Sequence, residues 1–270
     1  MSQRGRDRIR LASPETGEVW DVEILFEDGH LLALNKPSGL LTSPARLRPD
    51  APNMIRLLQE LIRAGNPTTT RRGWSYLVAT HRLDFDTSGV LLLAKNKPAL
   101  ITVANLFGSN KIGATHIALA AGSMGQETFA MDSKLAPDPL RPGKMRVDSK
   151  NGKRARTEFF VRQRFKRYTL LECRPQTHRP HQVRVHLQSL GLSILGDQLY
   201  GGPQLLLSNL KSDYRLKNDK IERPLISTPA LHLERLSFQH PMTGEEIVID
   251  APWPKDLTVA VKYLNRYSTN

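Results

Sequence analysis

The sequence predicts an α+β protein in which strands outnumber helices. Short apolar runs are separated by charged or Gly- and Pro-containing turns, and two segments repeat apolar residues at helical spacing. Strands and helices do not alternate regularly, as they would in a doubly wound parallel sheet. The chain has 270 residues, of which 39% are hydrophobic, so it is long enough to bury a substantial core.

The first half of the chain begins with a polar, basic segment, residues 1–19, which we interpret as a flexible arm. Apolar runs at 22–26 and 31–34 flank an Asp-Gly pair and predict a β-hairpin. Apolar residues between 54 and 62 recur at helical spacing and predict an amphipathic helix that ends near a Gly-Asn-Pro sequence. Residues 90–94 are apolar on both faces and predict a buried strand.

The second half is predicted to be richer in strands. Residues 137–157 carry seven Lys and Arg residues among Pro and Gly, which predicts an exposed basic loop. A helix is expected to begin near Pro180 and to end at Gly191, and residues 203–227 read as a charged insertion. The strands predicted in this half are 115–120, 157–161, 168–174, 231–238 and 246–249.

The net charge and the cysteine count limit the classes of function that the protein can have. A formal net charge of +13 attracts polyanions, nucleic acid first and anionic membrane surfaces second. A single cysteine, Cys173, allows neither an intramolecular disulfide nor a thiolate zinc site. The chain begins with no apolar signal-like region and holds no run of 18 apolar residues, so we predict a cytoplasmic protein that does not span a membrane.

The densest run of chemically active side chains is HRLDFDTSG, residues 81–89, called here the HRLD loop. Asp, Thr, Ser and Gly are ordinary turn residues, so the last four positions are more simply explained as a turn before the buried strand. A turn explains Asp84 less well, because Asp84 lies two positions after Arg82 in a chain that has few acidic residues. The residues alone therefore leave both a turn and a reactive carboxylate open.

A second dense run, THRPHQVRVH at residues 177–186, contains three histidines. Metal binding is disfavoured, because Arg179 and Arg184 are interleaved with the histidines and two cations beside a divalent ion need compensating carboxylates. A basic helix start that binds phosphate is the simpler interpretation. An arginine buried near that start would need a carboxylate partner, and Asp84 is the candidate.

Four motifs in a fixed order carry a family resemblance. HRLDFDTSG followed by VLLLAK resembles the signature of the RluA family of pseudouridine synthases. Residues 24–41 (ILFEDGHLLALNKPSGLL) resemble the first family motif, a hairpin that ends in Lys-Pro-x-Gly. THRPHQVRVHLQSLG with ILGDQLYG resembles the third motif, and LHLERLSFQHP resembles the final strand. Together the motifs extend from about Ile24 to Pro254.

The resemblance implies a fold, an activity and partners. The expected fold is a mixed, largely antiparallel, bifurcated β-sheet flanked by helices, forming one catalytic domain over residues 20–270 without a preceding S4-like domain. The expected activity is the isomerisation of uridine in structured RNA, either tRNA or rRNA, to pseudouridine. It implies no metal ion and no organic cofactor, and the expected protein is a monomer that binds RNA and no membrane.

The resemblance also assigns roles to individual residues. It implies that Asp84 acts as nucleophile or base and that Arg184 pairs with it. Arg82 could contact RNA, although an arginine that anchors its own loop explains it equally well. The residues expected to bind the substrate are His81, Arg82, Thr87, Arg179, His181 and Gln182.

Two positions depart from the family pattern. His116 stands where the family has a tyrosine in the strand after the HRLD loop, and His178 stands where the family has glycine in Thr-Gly-Arg. His116 could stack on the uracil and accept its ring proton, since histidine is a plausible base near neutral pH. The alternative is a catalytically degenerate relative that binds RNA in RNA folding or ribosome assembly.

Overall fold

The structure of the protein, a computed structural model, describes residues 7–211, 213–215 and 221–269. The strands are β1 (Arg8–Ala12), β2 (Val19–Glu27), β3 (Leu31–Lys36), β4 (Val78–Ala79), β5 (Ser88–Ala94), β6 (Gly113–Ala121), β7 (Thr128–Pro137), β8 (Met145–Val147), β9 (Lys153–Arg164), β10 (Tyr168–Pro175), β11 (Leu231–Gln239) and β12 (Glu246–Asp250). The helices are α1 (Met54–Arg63), α2 (Pro67–Arg71), α3 (Lys97–Gly108), α4 (Gln182–Ser189) and α5 (Lys255–Tyr267), with a short 3₁₀ helix at Gln198–Tyr200.

Two compact units divide the chain. The first unit comprises Met1–Ala114 and Leu233–Pro252, and the second comprises Thr115–His232 and Trp253–Asn270. The chain therefore passes from the first unit to the second within β6, returns within β11, and enters the second unit again after Pro252. The span 20–270, predicted as a single catalytic domain, includes residues of both units.

In the first unit, strands follow the order β1-β2-β3-β5-β11, with β4 beside β5 and β12 beside β11. The pairings of β1 with β2, β2 with β3, and β3 with β5 are antiparallel. Every residue of β5 is buried, as expected for a strand that is apolar on both faces. Helix α1 packs its apolar side chains into the same core, and Asn53 caps it by accepting a hydrogen bond from the Arg56 amide. The predicted hairpin, helix and buried strand are confirmed.

The predicted flexible arm was wrong for residues 8–12. These residues form β1, in which Ile9 and Leu11 are buried and Arg8 and Arg10 are exposed. Alternation with a period of two is typical of a strand with one solvated face, so the charges belong to the outer face of the sheet. Residues 1–6 of the predicted arm lie outside the described residues.

In the second unit, strands follow the order β6-β10-β9-β7-β8, and the pairings described along this order are antiparallel. The predicted basic loop is shorter than expected, because β8 and the beginning of β9 lie within it. Helix α4 begins at Gln182, since the preceding His181 adopts a left-handed backbone conformation with φ 53°. Of the predicted insertion, Leu205 and Ile226 are buried in the core of this unit, whereas 212 and 216–220 lie outside the described residues.

The predicted α+β class with a largely antiparallel sheet is confirmed. Among the described residues, no helix is long and apolar enough to cross a membrane.

Candidate active site

The HRLD loop is held against the segment that follows β3, within the first unit. The Thr42 hydroxyl accepts a hydrogen bond from the Leu83 amide at 3.1 Å and donates one to the Leu83 carbonyl at 3.2 Å. The Ser38 hydroxyl donates to the Asp86 carbonyl at 2.7 Å. These contacts fix the backbone on both sides of Asp84, which is half-buried.

Lys36, the last residue of β3, fastens the same loop from inside. Its Nζ donates to the carbonyls of Pro37 at 2.8 Å, Phe85 at 3.2 Å and Thr87 at 2.8 Å. An ammonium has three N–H donors, so these three carbonyls satisfy it completely. Sequence reasoning assigned Lys36 no role, although it lies in the motif that ends in Lys-Pro-x-Gly. Here it is a buried anchor of the loop that carries Asp84.

The protonation of Lys36 depends on its surroundings. Burial lowers its pKa to about 7, and the nearby carboxylates of Asp84 and Asp86 oppose that shift. An unfolded lysine keeps its proton up to about pH 10. Between about pH 7 and 10 the unfolded chain therefore binds more protons at this position than the folded chain, and stability rises with pH over that window.

Lys36→Met is expected to lower the free energy of unfolding near pH 7 by about 1–3 kcal/mol, because buried carbonyls lose their donor. The rise in stability attributed to Lys36 between about pH 7 and 10 should also disappear, since methionine does not titrate. Urea unfolding at pH 6.5 and pH 9 measures both effects. Lys95→Met, which removes a lysine paired with Glu27 at 3.0 Å, is the control and should keep the rise. Identical pH dependence in the two variants would contradict the assignment.

The end of the HRLD loop has the turn geometry that its composition predicts. The Thr87 amide donates to the Asp84 carbonyl at 3.1 Å. Gly89 has φ 117°, and a Cβ at this position would lie 2.2 Å from the Leu233 carbonyl oxygen, so no other residue fits. Thr87 is buried and joins the loop through its backbone amide and carbonyl, whereas Arg82 is exposed. The contacts with substrate predicted for both residues stay predictions.

His81 joins the HRLD loop to the buried strand. Its Nε2 accepts a hydrogen bond from the Leu92 amide of β5 at 3.1 Å, and its ring packs against Phe107 with centroids 4.9 Å apart. These contacts make His81 an anchor of the loop. Its predicted role in binding the substrate stays a prediction.

In the second unit, Gln182 organises the start of α4. Its Oε1 accepts from the Thr177 hydroxyl at 2.8 Å and the Arg179 amide at 3.1 Å. Its Nε2 donates to the Arg156 carbonyl and the Thr157 hydroxyl, each at 2.9 Å. Both donors and both acceptor positions of the amide are thus used inside this unit. Gln182 is therefore part of the scaffold of this unit, and its predicted contact with substrate stays a prediction.

Arg184, on α4, is buried in the second unit together with a carboxylate. Its Nε and Nη2 donate to Oδ2 and Oδ1 of Asp197 at 2.7 and 2.8 Å, and the two side chains are 5% and 1% exposed. Sequence reasoning expected Asp84 as the partner and gave Asp197 no role. The sequence did contain a sign that Asp197 is a buried partner, because it is an acidic residue in the otherwise apolar start of the ILGDQLYG motif.

The histidines of the second run lie in different environments. His181 Nδ1 lies 2.8 Å from the Tyr200 hydroxyl. Burial, and secondarily the charge of Arg179, lower the pKa of His178. Burial lowers the pKa of His186 to about 4, so its imidazole is neutral at physiological pH. Among the described residues, no group of three or more His, Cys, Asp or Glu is arranged to hold a metal ion.

Arg179 and His116 complete the predicted set. Arg179 lies in the loop before α4, and its Nε donates to the Arg154 carbonyl of β9 at 3.1 Å. His116 is half-buried on β6, where it is the register partner of Cys173 on β10. Burial raises the pKa of the Cys173 thiol, which is therefore protonated at neutral pH.

A family model described as RNA pseudouridylate synthase matches residues 30–189, which include the HRLD loop and α4. The chain belongs to the RNA pseudouridylate synthase family. The resemblance to the RluA family that the four motifs indicated is thereby confirmed, and enzymes of the family are isomerases that act on RNA.

Curated relatives support the same family over most of the chain. The ribosomal large subunit pseudouridine synthase D of Zymomonas mobilis is 34% identical over 261 residues, which are 95% of this chain and 77% of that protein. Its namesake from Xanthomonas campestris is 34% identical over 87% of this chain and 67% of that protein.

Solved structures share the fold. Human RNA pseudouridylate synthase domain containing 4 has a TM-score of 0.65 and 24% identity, with 90% of this chain and 92% of that chain covered. Human RNA pseudouridylate synthase domain containing 1 has a TM-score of 0.62 and 21% identity, with 88% and 87% covered. At these identities the likeness concerns the fold alone.

Proposed function

We propose that this pseudouridylate synthase family member converts specific uridines in structured RNA to pseudouridine, with Asp84 as the reactive carboxylate. The observation that carries the proposal is the HRLD loop itself. A half-buried aspartate is held there by the backbone contacts of Thr42 and Ser38 and by the buried Lys36. The isomerisation requires one carboxylate presented to the substrate, and these contacts hold the backbone of the loop that carries it.

The proposed reaction moves one bond and needs no second substrate. The bond between uracil N1 and ribose C1′ breaks, the base turns, and a bond forms between uracil C5 and C1′. C5 loses a proton and N1 gains one, so atoms and electrons balance. Asp84 can act either as a nucleophile at C1′ or as a base at the neighbouring ribose carbon, and both roles require it to be ionised.

In this proposal Arg184 pairs with Asp84 and favours its ionised form. Family resemblance supports the pairing, and Asp197 binds Nε and Nη2 of the same guanidinium. The target uridine must leave its stack to reach a half-buried carboxylate, at a cost of a few kcal/mol. Arg82 and Arg179 are the proposed contacts to the flanking RNA.

Ribosomal RNA of the large subunit is the proposed substrate. The relatives from Zymomonas mobilis and Xanthomonas campestris are named for it, and a net charge of +13 suits a long polyanion. Incubating the purified protein with unmodified large-subunit rRNA transcripts, and separately with tRNA transcripts, tests the proposal. Chromatography of the digested nucleosides should show pseudouridine in the rRNA. Pseudouridine in the tRNA alone would reassign the substrate, and none in either would overturn the activity.

One residue favours a second candidate function. His116 replaces the tyrosine of the family, and a chain that lost the stacking tyrosine could bind RNA without isomerising it. Retained Asp84 and Arg184 favour the enzyme. A variant series at His116 separates the two functions.

If His116 accepts the uracil proton, the single-turnover rate should fall as pH drops through the imidazole pKa, ordinarily about 6.5, because only the neutral ring is a base. His116→Tyr should remove this acid limb and keep turnover, since a tyrosine stays neutral up to about pH 10. His116→Ala should lose both the stacking surface and the base. Superimposable pH profiles for the wild type and His116→Tyr would show that His116 only packs, and an inactive wild type that His116→Tyr activates would establish the degenerate relative.

A further inference from the structure

A buried network around Arg184 extends beyond the residues that the proposed reaction uses. Asp197 binds the guanidinium through two hydrogen bonds, and both side chains are almost entirely shielded from solvent. A bidentate pair restricts the rotation of the guanidinium as well as neutralising it. Asp197 also accepts a hydrogen bond from the Tyr200 amide at 3.3 Å, which ties the carboxylate to the short 3₁₀ helix.

Tyr200 connects Arg184 to two other elements of the second unit. Its ring lies 4.9 Å from the guanidinium carbon of Arg184 and is 1% exposed. Its hydroxyl accepts a hydrogen bond from the Met145 amide of β8 at 2.9 Å and lies 2.8 Å from His181 Nδ1. The ammonium of Lys144, in the basic loop before β8, lies 5.2 Å from the same ring.

His181 links this network to the first residue of α4. It is the N-cap of the helix, has φ 53° and makes no side-chain capping hydrogen bond. A left-handed conformation at a residue other than glycine costs of the order of 1 kcal/mol or more and persists where the surroundings impose it. The contact between His181 and the Tyr200 hydroxyl is one of these surroundings, three residues before Arg184.

We propose that Asp197 and Tyr200 are positioning residues of the isomerisation, which together hold Arg184 in one orientation and tie it to the hairpin of β7 and β8. The inference rests on the proposed function, since it assumes that Arg184 acts on the reactive carboxylate. It goes further by assigning the orientation of Arg184 to two residues that need not touch the RNA. Their loss should therefore lower the rate of the chemical step and leave RNA affinity unchanged.

Two conservative variants with matched controls test this assignment. Asp197→Asn keeps the shape of the side chain and removes its charge, and Asp250→Asn does the same in the exposed bidentate pair of Asp250 with Arg235. Tyr200→Phe removes a hydroxyl and keeps the ring, and Tyr168→Phe is its control on β10. Single-turnover rate constants at saturating RNA, dissociation constants for RNA and melting temperatures are measured for all four variants.

We expect the rate constant to fall by about 100-fold for Asp197→Asn and by about tenfold for Tyr200→Phe, because small misplacements of a catalytic group cost rates of this size. The RNA dissociation constants of both variants should stay within about twofold of the wild type. The two control variants should match the wild type in rate constant, RNA affinity and melting temperature. Tyr200→Phe decides the question if Asp197→Asn does not fold.

A Tyr200→Phe rate constant equal to that of Tyr168→Phe, or a loss that appears in RNA affinity instead of rate, would overturn the assignment. An inactive wild type would overturn the proposed function itself and this inference with it. An active wild type with unaffected variants overturns the inference alone.

Discussion

Asp84→Asn is expected to abolish pseudouridine formation while leaving the fold and most of the RNA affinity intact. The substitution removes one negative charge and almost no volume, so the contacts that hold the HRLD loop backbone should persist. An amide can neither attack C1′ nor remove a ribose proton, so neither of the two open mechanisms survives. In this variant Lys36 would also lose one of the two carboxylates that oppose the effect of burial on its pKa.

The measurement is pseudouridine yield in single-turnover reactions, together with RNA binding and the melting temperature. Asp86→Asn is the matched control, because it changes a carboxylate of the same loop that also lies near Lys36. We expect Asp86→Asn to remain active. Pseudouridine above background with pure Asp84→Asn protein, or equal losses in the two variants, would refute Asp84 as the reactive group.

Arg184→Met is expected to eliminate most activity and to lower the free energy of unfolding by about 3–5 kcal/mol. The expected loss of stability has a clear cause in Asp197, whose side chain is 1% exposed and would keep a buried charge without its guanidinium. Arg235→Met removes the guanidinium of a bidentate pair whose members are 53% and 48% exposed. That control should cost no more than about 1 kcal/mol, because exposed ion pairs contribute little.

Urea unfolding of the two arginine variants measures the difference. Adding Asp197→Asn to Arg184→Met should recover part of the stability, since it removes the uncompensated charge, and should not recover activity. Equal unfolding free energies for Arg184→Met and Arg235→Met would show that the buried pair is not the source of stability. Full activity of Arg184→Met would show that Arg184 has no role in the isomerisation.

Much of the fold could be predicted because its elements have strong local patterns. The hairpin of β2 and β3, helix α1 and strand β5 each combine a clear period with a recognisable end. Strand β1 was missed because its exposed arginines hid an alternation that Ile9 and Leu11 carry. Helix α3 was missed because its apolar residues are not confined to one face, so no helical stripe marks it.

Site residues that belong to a recognisable sequence motif could be predicted. Site residues whose role depends on contacts with distant parts of the chain could not. Asp84 was identified from HRLD, and that assignment stays a prediction. Lys36 was missed because its partners Phe85 and Thr87 lie 49 and 51 residues away, and no local pattern reveals such a contact. The substrate contact of Gln182 stays a prediction, and its internal hydrogen bonds were not foreseen because a short motif does not reveal the partners of a buried amide.

The most direct test of the central claim is a map of pseudouridines in large-subunit rRNA from cells that lack this gene and from complemented cells. We expect one or a few uridines to lose modification in its absence, to regain it with the wild-type chain, and to stay unmodified with Asp84→Asn at equal protein level. Identical maps with and without the gene, or restoration by Asp84→Asn, would contradict it.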